Sequence, residues 1–142
     1  MIRKLRFTLS LSGNERRLLF QAWFLLLAVD LGLRVARFPS IQRFTSRVSK
    51  PDTASDIPVE TTIQNTVRMV EFAGRHHLYP MTCLRRALAL QWVLARRGIE
   101  TKLRFGVRRE EGLEAHAWLE YRDQPIGQAD GASQHFTPLT AP

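Results

Sequence analysis

Residues 82–121, TCLRRALALQWVLARRGIETKLRFGVRREEGLEAHAWLEY, change hydrophobic period halfway along, and that change decides the architecture. From Cys83 the apolar residues Leu84, Ala87, Leu88, Trp92 and Leu94 recur at helical spacing, with Thr82 just ahead of them. Gly98 stops the helix after Arg96 and Arg97, whose charge suits the negative end of the helix dipole. Beyond Gly98 the pattern alternates. Thr101 to Val107 reads as a strand, a Glu-Glu-Gly turn follows, and Glu114 to Tyr121 reads as a second strand. Asp123-Gln-Pro then makes a tight turn, and a third strand is expected from Ile126 to about Ala129. A helix followed by an antiparallel meander is an α+β order rather than βαβ.

Working back from Cys83, Val59 to about His76 carries Ile63, Val67, Val70 and Phe72 near helical spacing, and Pro80 closes that segment. Ser46 to Pro58, rich in Ser, Asp, Thr and Pro, reads as a linker. It separates an N-terminal helical region, residues 1–50, from a core of residues 51–142. Ser12 followed three residues later by Glu15 is a helix start, and the helix is expected to run to about Val35, with Pro39 ending the unit. Phe20 to Leu27 is apolar on nearly every face, so something must cover it: the core, a partner or a lipid surface. Gln21 and Asp30 interrupt the apolar run before it reaches the 18 or so residues that spanning requires, so peripheral membrane contact through this helix is the most that is expected.

The chain of 142 residues has room for one compact domain with a helical appendage. A net charge of +8 gives a positive field that attracts anions of any kind. The arginines are scattered, and no stretch alternates basic with aromatic residues, so no nucleic-acid partner is expected. One cysteine excludes an internal disulfide and a paired-cysteine zinc site, and fits a cytoplasmic location. Adjacent His76 and His77 point different ways and make a poor metal pair, so neither metal nor cofactor is expected.

The candidate chemistry starts at Cys83. A thiol becomes a strong nucleophile only on losing its proton, which the positive end of a helix and a nearby imidazole both favour. Arg85 and Arg86 are expected to add to the positive field. Of the four histidines only His116 sits within a strand pattern, sharing a face with Trp118 and Glu120 while Ala115, Ala117 and Leu119 take the other. A helix-opening Cys opposite a strand-borne His is the arrangement of Cys-His hydrolases. The third member would accept the other imidazole N–H. Asp130 is preferred, with Gln128 next and Asp123 as the turn residue that could compete. The oxyanion would be held by the Cys83 backbone N–H and a second donor from His77, Tyr79 or Thr82. A lone cysteine as an inert core residue, with Trp92 and Trp118 simply filling the core, is the competing structural reading.

Residues 82–121, together with the FTPL segment from Phe136 to Leu139, resemble the transglutaminase-like cysteine proteases of lasso-peptide biosynthesis, the protease half of the B protein, akin to the microcin-processing enzyme. The likeness is strongest from Tyr79 to Tyr121 and looser over the N-terminal helices. It implies a papain- or transglutaminase-like core, with a Cys-bearing helix packed on a small antiparallel sheet behind N-terminal helices. It also implies leader-peptide cleavage from a ribosomally made precursor, a separate leader-recognition protein, and an ATP-dependent cyclase that joins the freed amine to an acidic side chain. Cys83 matches the family nucleophile and His116 its base, whereas the acidic position after the His-Ala-Trp strand falls near Gln128, two places before Asp130. A non-catalytic module that presents the precursor, or an acyl transferase using the same Cys83, are the alternatives.

Overall fold

A computed structural model describes residues 10–47, 56–110, 112–127 and 134–139. The first long helix, α1 (Gly13–Val35), begins with a reciprocal capping box: Ser12 N donates to Glu15 Oε2 at 2.9 Å and Glu15 N donates to Ser12 Oγ at 3.3 Å. Its start and end fall where the sequence places them. Pro39, expected to end this unit, instead opens a short helix α2 (Phe38–Thr45). Proline is at home in a first helical turn, where its missing N–H has no intrahelical partner to lose. Helix α3 (Val59–Arg75) and helix α4 (Cys83–Arg96) complete the helical layer.

Helix α4 ends in a Schellman motif. Gly98 takes φ 75°, Ile99 N donates to Leu94 O at 3.0 Å, and Gly98 N donates to Ala95 O at 3.1 Å. That turn redirects the chain into β1 (Lys102–Arg108), which pairs antiparallel with β2 (Glu114–Tyr121) in a register setting Gly106 against His116 and Leu103 against Leu119. The next hairpin differs from expectation. Its turn is the pair Arg122–Asp123, both with positive φ (49° and 60°), and β3 (Gln124–Ile126) starts at once, ahead of the expected Ile126. Two consecutive left-handed residues match the twist of the flanking strands, which a longer Asp-Gln-Pro loop would not. Residues Gln128 and Ala129, where the third strand was expected to continue, lie outside the described residues.

A fourth strand, β4 (Thr137–Pro138), pairs with the free edge of β1, giving the order β3-β2-β1-β4. The sheet is thus more than a meander, because the segment read only as a resemblance mark closes its far side. Leu139 N extends the pairing by donating to Phe105 O at 2.8 Å.

The main core lies between α4 and the sheet, where Leu90, Leu94 and Ile99 meet Leu119, Leu103 and Ile126, with Ala22 and Leu26 of α1 and Val70 of α3 closing it. A fully buried leucine such as Leu26, Leu94 or Leu119 contributes roughly 1.5–3 kcal/mol. Gln91 is the buried polar tie: its Oε1 accepts from Thr45 Oγ1 at 3.1 Å and its Nε2 donates to Thr101 O at 3.2 Å, which joins α2, α4 and the entry to β1. The enclosure expected around α1 is one-sided. Leu18, Ala22, Leu26 and Val29 are buried, yet Phe20 and Phe24 remain 64% and 62% exposed. By length and composition α1 also suffices to cross a membrane, although this buried face packs on the rest of the fold.

Candidate active site

Cys83 is the first residue of α4, a free and half-buried thiol. The helix start is fixed by Thr82, whose Oγ1 accepts from Arg85 N at 3.4 Å and whose carbonyl accepts from Arg86 N at 3.1 Å. The first N–H groups of a helix have no intrahelical acceptor, so the backbone around Cys83 points donors and partial positive charge outward. Cys83, Arg86, Ala87 and Leu90, spaced as one helix face, line a cleft of about 210 Å³. His116 and Trp118 of β2 form its opposite wall.

His116 is half-buried on β2, its ring stacked 5.0 Å from Phe136 and 6.0 Å from Trp118. Trp118 itself is buried. Burial, and next the charge of Arg86, push the imidazole below its ordinary value of 6.5. The ring is therefore neutral at neutral pH and able to accept a proton. Gly106, directly across the ladder, makes the stacking possible: a Cβ there would stand 2.9 Å from both Phe136 Cβ and the Trp118 ring.

The two arginines beside Cys83 part company. Arg85 turns to α1, where its Nη2 stands 2.7 Å from Asp30 Oδ1 without the alignment of a hydrogen bond, and Arg34 Nε donates to Asp30 Oδ2 at 3.1 Å. Arg86 turns into the cleft and donates from Nη1 to Glu71 Oε2 at 2.9 Å. The joint positive field expected around the sulfur is thus partly neutralised by Asp30 and Glu71, because helix packing brings carboxylates from α1 and α3 against the first turn of α4.

Of the candidates for the third position, Asp130 and Gln128 lie outside the described residues. Asp123 sits in the β2–β3 turn, its side chain 75% exposed and paired with Lys102 at 3.1 Å, on a different cleft from Cys83 and His116. Among the oxyanion candidates, Thr82 is engaged as the helix cap, while His77 and Tyr79 line a neighbouring cleft. Sequence reading missed Glu71 and Arg75, one helical turn apart on α3, which also line the Cys83 cleft. Their i, i+4 spacing was the only local signal, and it does not reveal which helix they face. Phe136 was legible only as part of the FTPL segment, since its contact with His116 depends on the return of the chain to β1.

No curated protein and no solved structure matches this chain. A model of the transglutaminase-like superfamily does match, over residues 25–141, which takes in the C-terminal part of α1, the Cys83 helix and the whole sheet. With an α+β fold in which a Cys-opened helix packs on a small antiparallel sheet, the chain belongs to the transglutaminase-like superfamily.

Proposed function

We propose that this protein is a cysteine peptidase that removes the leader from a ribosomally synthesised precursor of the lasso type. The observation that carries the reading is that Cys83, opening α4, and His116, on β2, line one cleft. The superfamily includes cysteine peptidases and acyltransferases, both of which use an activated thiol.

In this reading neutral His116 takes the Cys83 proton as the sulfur attacks the carbonyl carbon at the leader–core junction. Backbone N–H groups at the start of α4 hold the resulting oxyanion. His116 returns the proton to the departing amine, the C–N bond breaks, and the leader remains as a thioester on Cys83. Water, deprotonated by His116, then attacks the thioester; the thiolate leaves and recovers the proton, and the leader departs as a carboxylic acid. Asp130 is proposed to orient His116. The proposal includes a cytoplasmic setting, a separate leader-recognition protein and an ATP-dependent cyclase that consumes the freed amine.

The test is incubation of precursor and recognition protein with wild-type and Cys83→Ala protein. Cleavage by the wild type alone supports the reading, and cleavage that persists in Cys83→Ala rules it out. Mass spectrometry of the released leader separates hydrolysis, which adds the elements of water, from transfer to an amine, which joins leader and amine.

A further inference from the structure

Beside the Cys83 cleft lies a second one, of about 420 Å³, lined by Arg75, His77, Leu78, Tyr79, Met81 and Arg86. The two clefts share Arg75, at the end of α3, and Arg86, one turn into α4. Among the described residues no carboxylate lines the second cleft. Among the described residues Arg75 has no ion pair or hydrogen bond, and Arg86 Nε is buried without a hydrogen-bond partner, its Nη1 being taken by Glu71. Both ring nitrogens of His77 are likewise buried and unpartnered among the described residues, while the ring stacks 4.8 Å from Trp23 and meets Tyr79 at a tilt, 5.5 Å away.

A buried donor without an acceptor costs roughly 1–3 kcal/mol, and here the unpartnered Arg86 Nε and His77 ring line the same cleft as the exposed guanidinium of Arg75. Guanidinium forks are complementary to carboxylates. Leu78 and Tyr79, 73% and 44% exposed at the rim, suit the aliphatic stem of an amino-acid side chain.

We infer that the second cleft is a subsite for a carboxylate of the bound peptide, either an Asp or Glu side chain or a chain-terminal carboxylate. It adjoins the cleft of Cys83, the two sharing the wall formed by Arg75 and Arg86. That the bound peptide is a substrate rests on the peptidase reading above; the binding itself does not.

The experiment uses full-length Cys83→Ala protein and short fluorescent peptides, blocked at both ends and otherwise uncharged, with a single Glu walked along the chain. Matching peptides carry Gln or Lys instead, and one carries Gln with a free C-terminal carboxylate. By fluorescence anisotropy, the Glu peptide in one register, or the free-carboxylate peptide, binds roughly tenfold tighter than blocked Gln peptide, and which of the two does so identifies the source. Adding Arg75→Gln removes that difference, Arg75→Glu turns the preference toward Lys, and Arg43→Gln on α2 leaves it intact. Equal binding of all peptides, no binding by any, or an equal loss of discrimination with Arg43→Gln overturns the inference. A wild-type protein that cleaves nothing would sink the peptidase reading and leave this binding result standing.

Discussion

Arg86 donates to Glu71 at 2.9 Å and passes over Gly74, where an added methyl group would stand 2.8 Å from Arg86 Cδ. The absence of a side chain at Gly74 therefore lets the Cys83 helix and α3 share one cleft wall. Gly74→Ala should leave the melting temperature nearly unchanged, because about 1 kcal/mol of gained helix propensity offsets the displacement of Arg86. Peptide cleavage should nevertheless fall several-fold. A kinetic assay alongside thermal melting checks the split.

The charge of Arg86 is one of the two causes that lower His116, so Arg86→Gln should raise the His116 titration midpoint, followed by NMR in Cys83→Ala protein. The linked effect on stability has a definite sign. A histidine lowered by folding binds fewer protons in the native state, so its contribution is complete above 6.5 and is lost as pH falls through the lowered folded value. Arg86→Gln should narrow that window, and His116→Gln should abolish its share, as read from urea midpoints between pH 4 and 7.

How far such relationships could be read from sequence depends on whether their cause is local. Ser12 with Glu15, Thr82 ahead of Cys83, and Gly98 after Arg97 are each contained within one turn of chain, and these helix ends fall where the pattern puts them. Pro39 is ambiguous because proline both ends one helix and suits the first turn of the next. Arg122 is no turn former by composition; its left-handed conformation follows from pairing Tyr121 with Gln124. Thr137 and Pro138 are too short a run to announce a strand, and only the exposed edge of β1 makes them one. At the site, Cys83 and His116 stood out by residue type and element. The pairings of Arg85 with Asp30 and Arg86 with Glu71 follow from helix packing, which no single segment encodes.

Gly106 offers a direct probe of the His116 side of the cleft. Gly106→Ala should destabilise by about 1–3 kcal/mol, since the new methyl group meets Phe136 Cβ and the Trp118 ring at 2.9 Å. Chemical denaturation measures the loss. Because Phe136 stacks on His116, cleavage should decline further than the unfolded fraction explains.

Asp30, 3% exposed, pins the first turn of α4 through Arg85. Asp30→Ala should cost about 1–3 kcal/mol, less than breaking a wholly enclosed pair because Arg34 is open to solvent. Faster hydrogen exchange at the start of α4, with the far end near Gly98 little changed, would show that the loss is felt where Cys83 sits.

The coupling of thiol to imidazole is tested most directly by the rate at which iodoacetamide alkylates Cys83 in wild-type and His116→Ala protein, followed by intact mass near neutral pH. The account predicts that alkylation slows by about tenfold or more when the imidazole is removed, while the circular dichroism spectrum stays native. Equal rates in the two proteins would contradict it.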